Sequence, residues 1–159
     1  MNLDFSKVVP TAEMGGGTDE ETEELKAYLN EAESEINFYS WHDGIVRSYF
    51  GMGIGGIFAI FLFEILPNRK NVDNFVWVIV GDLPSAYITC ETAPNPACAL
   101  DCYICAMEEW VEAAKIGKSV ENLIPVNVPA TPENGLLLET RLKFLDEKIL
   151  VNHKSDLDE

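Results

Sequence analysis

Positive charge is scarce in this sequence. Eleven Lys and Arg stand against 27 Asp and Glu, a net charge of −16 over 159 residues. A field of that sign repels phosphate backbones and anionic membrane surfaces, which argues against nucleic-acid binding and membrane-surface roles. The same field attracts a basic protein and speeds its encounter, while solubility alone also accounts for such an excess. Long apolar runs are missing as well. The longest, residues 51–63, is closed by Glu64 and contains four glycines, whereas a membrane-spanning helix needs about 20 apolar residues. The N-terminus shows no basic stretch followed by an apolar one, so no secretory signal is expected. The four cysteines, Cys90, Cys98, Cys102 and Cys105, are then expected as thiols or ligands in a reducing cytoplasm. Histidine occurs only twice, and no H-E-x-x-H, G-x-S-x-G or P-loop pattern is present. Binding is therefore expected rather than catalysis, with no metal and no cofactor.

What is present fits one folded domain. Apolar residues make up 47% and mean hydropathy is +0.01, too hydrophobic for a disordered chain. Residues 1–17 end in three glycines and read as a flexible lead-in, with Val8, Val9 and Pro10 as its points of contact with the body. Residues 18–151 read as a single α+β domain, and 152–159 as a polar tail. Thr18-Asp19-Glu20-Glu21 is a capping box, and Leu25, Leu29, Ala32 and Ile36 follow at helical spacing, which predicts a helix over 19–39. Residues 41–50 fit either a short helix or an extended segment. Residues 57–63 and 74–80 are apolar on both faces, as in central strands, and 86–89 is a third strand. Short connections favour antiparallel pairing. A second helix is predicted over 96–116, stopped by Gly117. A third starts after Thr131 with Pro132 in its first turn, its stripe made by Leu138, Leu142, Leu145 and Ile149. The fold class expected is α+β: a small antiparallel sheet of about three strands, packed on one face by an N-terminal helix and two C-terminal helices.

Two motifs promise more than their context supports. Gly51-Met52-Gly53-Ile54-Gly55-Gly56 matches G-x-G-x-x-G. A dinucleotide loop must be followed by a helix whose N-terminus meets the phosphates, but a strand follows here, so close packing explains these glycines better. Cys98, Cys102 and Cys105 have C-x₃-C-x₂-C spacing, which resembles the iron–sulfur motif of radical-SAM enzymes. The chain is too short for that family's barrel. On one regular helix the three sulfurs also spread over about 10 Å, too far for a single ion. A zinc site using Cys90 and two of the others is the remaining metal arrangement. The helical cysteines lie off the apolar stripe of Leu100, Tyr103, Met107 and Trp110, on a flank of small residues suited to close packing by the first or third helix.

The candidate site residues are Asp82, Tyr87, Trp77 and His42. His42 adjoins Asp43. Trp77, Asp82 and Tyr87 belong to Trp77-Val78-Ile79-Val80-Gly81-Asp82-Leu83-Pro84-Ser85-Ala86-Tyr87-Ile88, where Gly81 suits a positive-φ turn and Asp82 can accept turn amides. This stretch resembles a signature in small uncharacterised bacterial proteins. The resemblance extends over about residues 75–110 and implies a bacterial origin and a shared α+β core, with no functional residue to carry over. The functional expectation is an acidic cytoplasmic module that binds a basic protein, as an immunity-type protein neutralising a cationic toxin does. The alternative is a small-molecule-binding protein, or an enzyme, with its site near Asp82.

Overall fold

The structure is a computed structural model in which residues 3–158 are described. It is α+β, and its sheet is larger than expected. Five antiparallel strands run in the order β1-β2-β3-β4-β5: β1 Val9–Pro10, β2 His42–Ile54, β3 Phe58–Pro67, β4 Phe75–Gly81 and β5 Ala86–Thr89. Three α-helices accompany them: α1 Asp19–Asn37, α2 Pro96–Ile116 and α3 Pro132–Phe144. The expected three strands correspond to β3, β4 and β5. The ambiguous segment after Trp41 is β2, a long strand with three register irregularities against β3.

The helices cover both faces of the sheet, not one. Alternation along β3 and β4 requires this. Ala59, Phe61, Phe63, Val76 and Val78 face one side and pack on Leu25, Ala32 and Ile36 of α1. Phe58, Ile60, Leu62, Trp77 and Ile79 face the other and pack on Leu100, Tyr103, Met107 and Trp110 of α2. A strand apolar on both faces must be covered on both.

The helix ends follow the sequence closely. Thr18 caps α1 by accepting from the Glu21 N–H at 3.1 Å. Asn95 caps α2 by accepting from the Cys98 N–H at 2.9 Å, and Gly117 ends it at φ 73°. Thr131 caps α3 by accepting from the Asn134 N–H at 3.2 Å. Beyond α3 the chain makes one π turn, Leu145–Ile149, and then a 3₁₀ segment, Leu150–Asp158. The wider turn moves the buried stripe from the expected Ile149 to Leu150, which joins Leu138, Leu142 and Leu145 in the core.

The lead-in and the tail are both tied down. Val9 and Pro10 pair with Phe50 and Tyr49 of β2, and the Asp4 N–H donates to Pro94 O at 2.8 Å. In the expected polar tail, Asp156 O accepts from Asn95 Nδ2 at 2.8 Å, and its carboxylate lies 3.0 Å from Lys7 Nζ. Residues 1, 2 and 159 of those two segments lie outside the described residues. No helix among the described residues is long and apolar enough to cross a membrane.

The G-x-G-x-x-G stretch forms the end of β2 and its hairpin to β3. A Cβ on Gly51 would lie 2.8 Å from Pro96 Cγ, so the missing side chain lets the start of α2 settle on the sheet. Gly56 takes φ 81° in the hairpin turn, a conformation that favours glycine.

Candidate functional site

The four predicted site residues do not converge. Trp77 is fully buried against α2, and its indole Nε1–H donates to Ala93 O at 2.8 Å. It is a core residue. His42 is buried, and both ring nitrogens are engaged. The Gly44 N–H donates to Nδ1 at 3.0 Å, so Nε2 carries the ring proton and donates to Ile36 O at 2.8 Å. The ring thus ties the end of α1 to the start of β2. Its neighbour Asp43 turns outward and accepts from Asn68 Nδ2 at 2.8 Å.

Asp82 is exposed and held by α3. Arg141 Nε donates to its carbonyl at 2.8 Å, and Arg141 Nη2 lies 3.4 Å from its carboxylate. The pair stands at the rim of an apolar groove of about 340 Å³ formed by the β4–β5 connection and α3, lined by Leu83, Trp110, Val126 and Leu137 among others.

Tyr87 lies on the other side of the sheet. In the β4–β5 register Tyr87 faces Val78 and Ile88 faces Trp77, so Tyr87 points toward α1 and Trp77 toward α2. Tyr87 joins two further aromatic rings, those of Tyr39 and Trp41. Its ring centroid is 5.3 Å from Trp41 and 4.8 Å from Tyr39, both edge-on, while Tyr39 and Trp41 stack at 5.4 Å. Burial, with the Glu35 carboxylate beside it, pushes the Tyr39 phenol up to about 12. The hydroxyl therefore stays protonated and donates to Glu35 Oε2 at 3.1 Å.

Trp41 and Tyr87 wall a cleft of about 280 Å³ with Val72 and Val76 in its lining. Arg69, Asp73 and Glu91 also line it. Arg69 Nη2 is 3.4 Å from Ser40 Oγ. Asp73 and Glu91 are exposed and, among the described residues, have no hydrogen-bond or ion-pair partner. Aromatic faces beside unengaged carboxylates form a setting for an organic cation. Thr89 is reached from Tyr87 by strand alternation, and Glu91 follows two residues past the end of β5. Trp41, Arg69 and Asp73 come from two other segments, and no local spacing connects them to it.

Among the described residues, no group of three or more His, Cys, Asp or Glu is placed to hold a metal ion. The cysteines are thiols. Cys98 is covered by the C-terminal segment, its Sγ 3.5 Å from Asp156 O, while α1 lies across the sheet. Burial, then Asp73, pushes the Cys90 thiol up to about 12. Burial, then Asp101 and Glu108, raises that of exposed Cys105. At neutral pH, iodoacetamide followed by mass spectrometry should label Cys105 and leave Cys90 intact until denaturant is added. Equal labelling rates would refute the burial of Cys90. A thiol raised in the folded state favours folding below its unfolded value, so the Cys90 contribution to stability should fade as pH rises from about 9 to about 12.

Comparison with protein-family models finds no match. Neither curated proteins nor solved structures yield a match.

Proposed function

We propose that this chain is an acidic binding module that takes a cationic side chain of a basic polypeptide between Trp41 and Tyr87. The observation that carries this reading is the pair of unengaged carboxylates, Asp73 and Glu91, on an aromatic cleft. The cleft has room for a lysine or arginine side chain, whose charge can meet an aromatic face for about 0.5–2 kcal/mol. The net charge of −16 supplies the long-range attraction that brings such a partner in. Neutralisation of a cationic toxin is one biological form with this chemistry, and the thiol state of the cysteines suits a cytoplasmic setting. The groove beside Asp82 supports the alternative, a small apolar ligand held near the Asp82–Arg141 pair.

Titration with an oligolysine peptide tests the proposal, read by tryptophan fluorescence. Trp77 and Trp110 are buried and Trp41 is partly exposed, so the signal reports the cleft. Binding should weaken from about 10 mM to about 200 mM salt as screening sets in. The double substitution Asp73→Asn, Glu91→Gln should lower affinity about tenfold, through two exposed charge contacts of about 0.5–1 kcal/mol each. An affinity indifferent to both salt and these substitutions would exclude the proposed site.

A further inference from the structure

We infer that the basic segment binds as an added strand on β5, with alternate side chains directed into the groove on the α1 side. This inference rests on the binding reading above and adds the backbone mode.

Among the described residues, β5 is one end of the sheet and pairs only with β4. An edge strand directs half its N–H and C=O groups away from its neighbour. Among the described residues, none of Ala86–Thr89 has a backbone partner beyond the β4 ladder. The two ends of the sheet are built differently. The opposite end is protected by Pro10 in β1 and by the irregular register of β2, both devices that discourage strand addition. β5 has neither. Its register against β4 is unbroken, and Ala86-Tyr87-Ile88-Thr89 contains no charge and no proline.

The surroundings identify the occupant. Tyr87 and Thr89 alternate along one side of this edge, with Ser85 just before β5 and Glu91 in the turn just after it. Ser85 borders a second depression formed with Glu31 and Glu35 of α1 and with Phe38 just beyond its end. Phe38 is 83% exposed, a large apolar surface at the end of an acidic helix. Tyr87, Thr89 and Glu91 border the Trp41 cleft. The two depressions thus lie along one strand direction, with Glu31 and Glu35 at one and Asp73 and Glu91 at the other. Arg69 is the only cation among the residues lining them. A strand laid about 4.8 Å from β5 places every second side chain on this face, about 7 Å apart. Cationic side chains at alternate positions therefore match the carboxylates, while the backbone completes the edge.

The test uses the full chain and a peptide of alternating lysine and valine, about ten residues long. Two further peptides carry N-methyl groups, one on the lysines and one on the valines. Strand addition uses the N–H groups of only one set. One methylated peptide should therefore lose at least about tenfold in affinity and the other should bind like the parent. Amide exchange within Ala86–Thr89 should slow when the parent binds. If the parent binds in a salt-dependent way but both methylated peptides match it, and β5 exchange is unchanged, strand addition is overturned and the cleft reading stands. If the parent and oligolysine both fail to bind, the cleft reading falls and the strand inference falls with it.

Discussion

Trp77→Ala should lower stability by about 3–5 kcal/mol, the range for removing a large buried aromatic side chain. The indole is fully buried between β4 and α2, so alanine leaves a cavity there. It also leaves Ala93 O without its donor, now at 2.8 Å, and that unsatisfied buried carbonyl, itself about 1–3 kcal/mol, places the loss toward the upper end of this range. Trp77→Phe keeps most of the volume and loses mainly that bond, so it should cost less than the alanine variant, about 1–3 kcal/mol. Urea denaturation measures both. A loss below about 1 kcal/mol for the alanine variant would mean that the indole does not anchor α2. The phenylalanine variant also separates core from site. Because Trp77 faces α2 and Tyr87 faces α1, it should bind oligolysine as the parent does.

Gly81→Ala should destabilise by about 3 kcal/mol or more. Gly81 sits at φ 136°, and a Cβ there would lie 2.5 Å from Ile57 O and 2.6 Å from Phe58 Cα. Both are backbone atoms of the neighbouring hairpin and cannot swing aside. The next N–H, that of Asp82, donates to the same Ile57 O at 2.9 Å, so relief of the clash also strains that bond. Gly44 provides an internal comparison. Its φ is 142°, yet nothing lies within 4 Å of its absent Cβ. Gly44→Ala therefore carries only the conformational penalty, about 1–3 kcal/mol. Denaturation midpoints of the two variants should differ by the clash alone. Equal midpoints would show that the β3–β4 edge yields to accommodate the methyl.

These two residues also show what local sequence could and could not reveal. Gly81 was legible as a positive-φ position because a strand, a glycine, an aspartate and a proline follow one another there. Trp77, Asp82 and Tyr87 are close in sequence. In a hairpin, nearness in sequence does not place side chains on one face, and the Trp77–Ile88 register puts Trp77 and Tyr87 on opposite sides. β3, β4 and α2 were readable because their burial is written in unbroken apolar patterns with capping residues at the helix ends. β2 was not, because its glycines and Arg47 interrupt alternation and its pairing with β3 shifts register. β1 has only two residues, and its strand geometry comes from the neighbour it pairs with. The cleft was half-legible. Tyr87 and Thr89 share a strand face and Glu91 follows them closely in sequence, whereas Trp41 and Asp73 reach it through tertiary packing.

The double coverage of β3 has a consequence before folding is complete. Phe58-Ala59-Ile60-Phe61-Leu62-Phe63 is buried on both sides once α1 and α2 are in place. In a nascent or partly opened chain the same six residues form an uncharged, β-branched and aromatic stretch without proline, the composition of a cross-β zipper. Self-association of that stretch must bring together chains that each carry −16. Mutual repulsion between whole molecules then acts as a gatekeeper against precipitation, a role distinct from partner attraction. Acid or concentrated salt removes that safeguard, by protonating the carboxylates or by screening them.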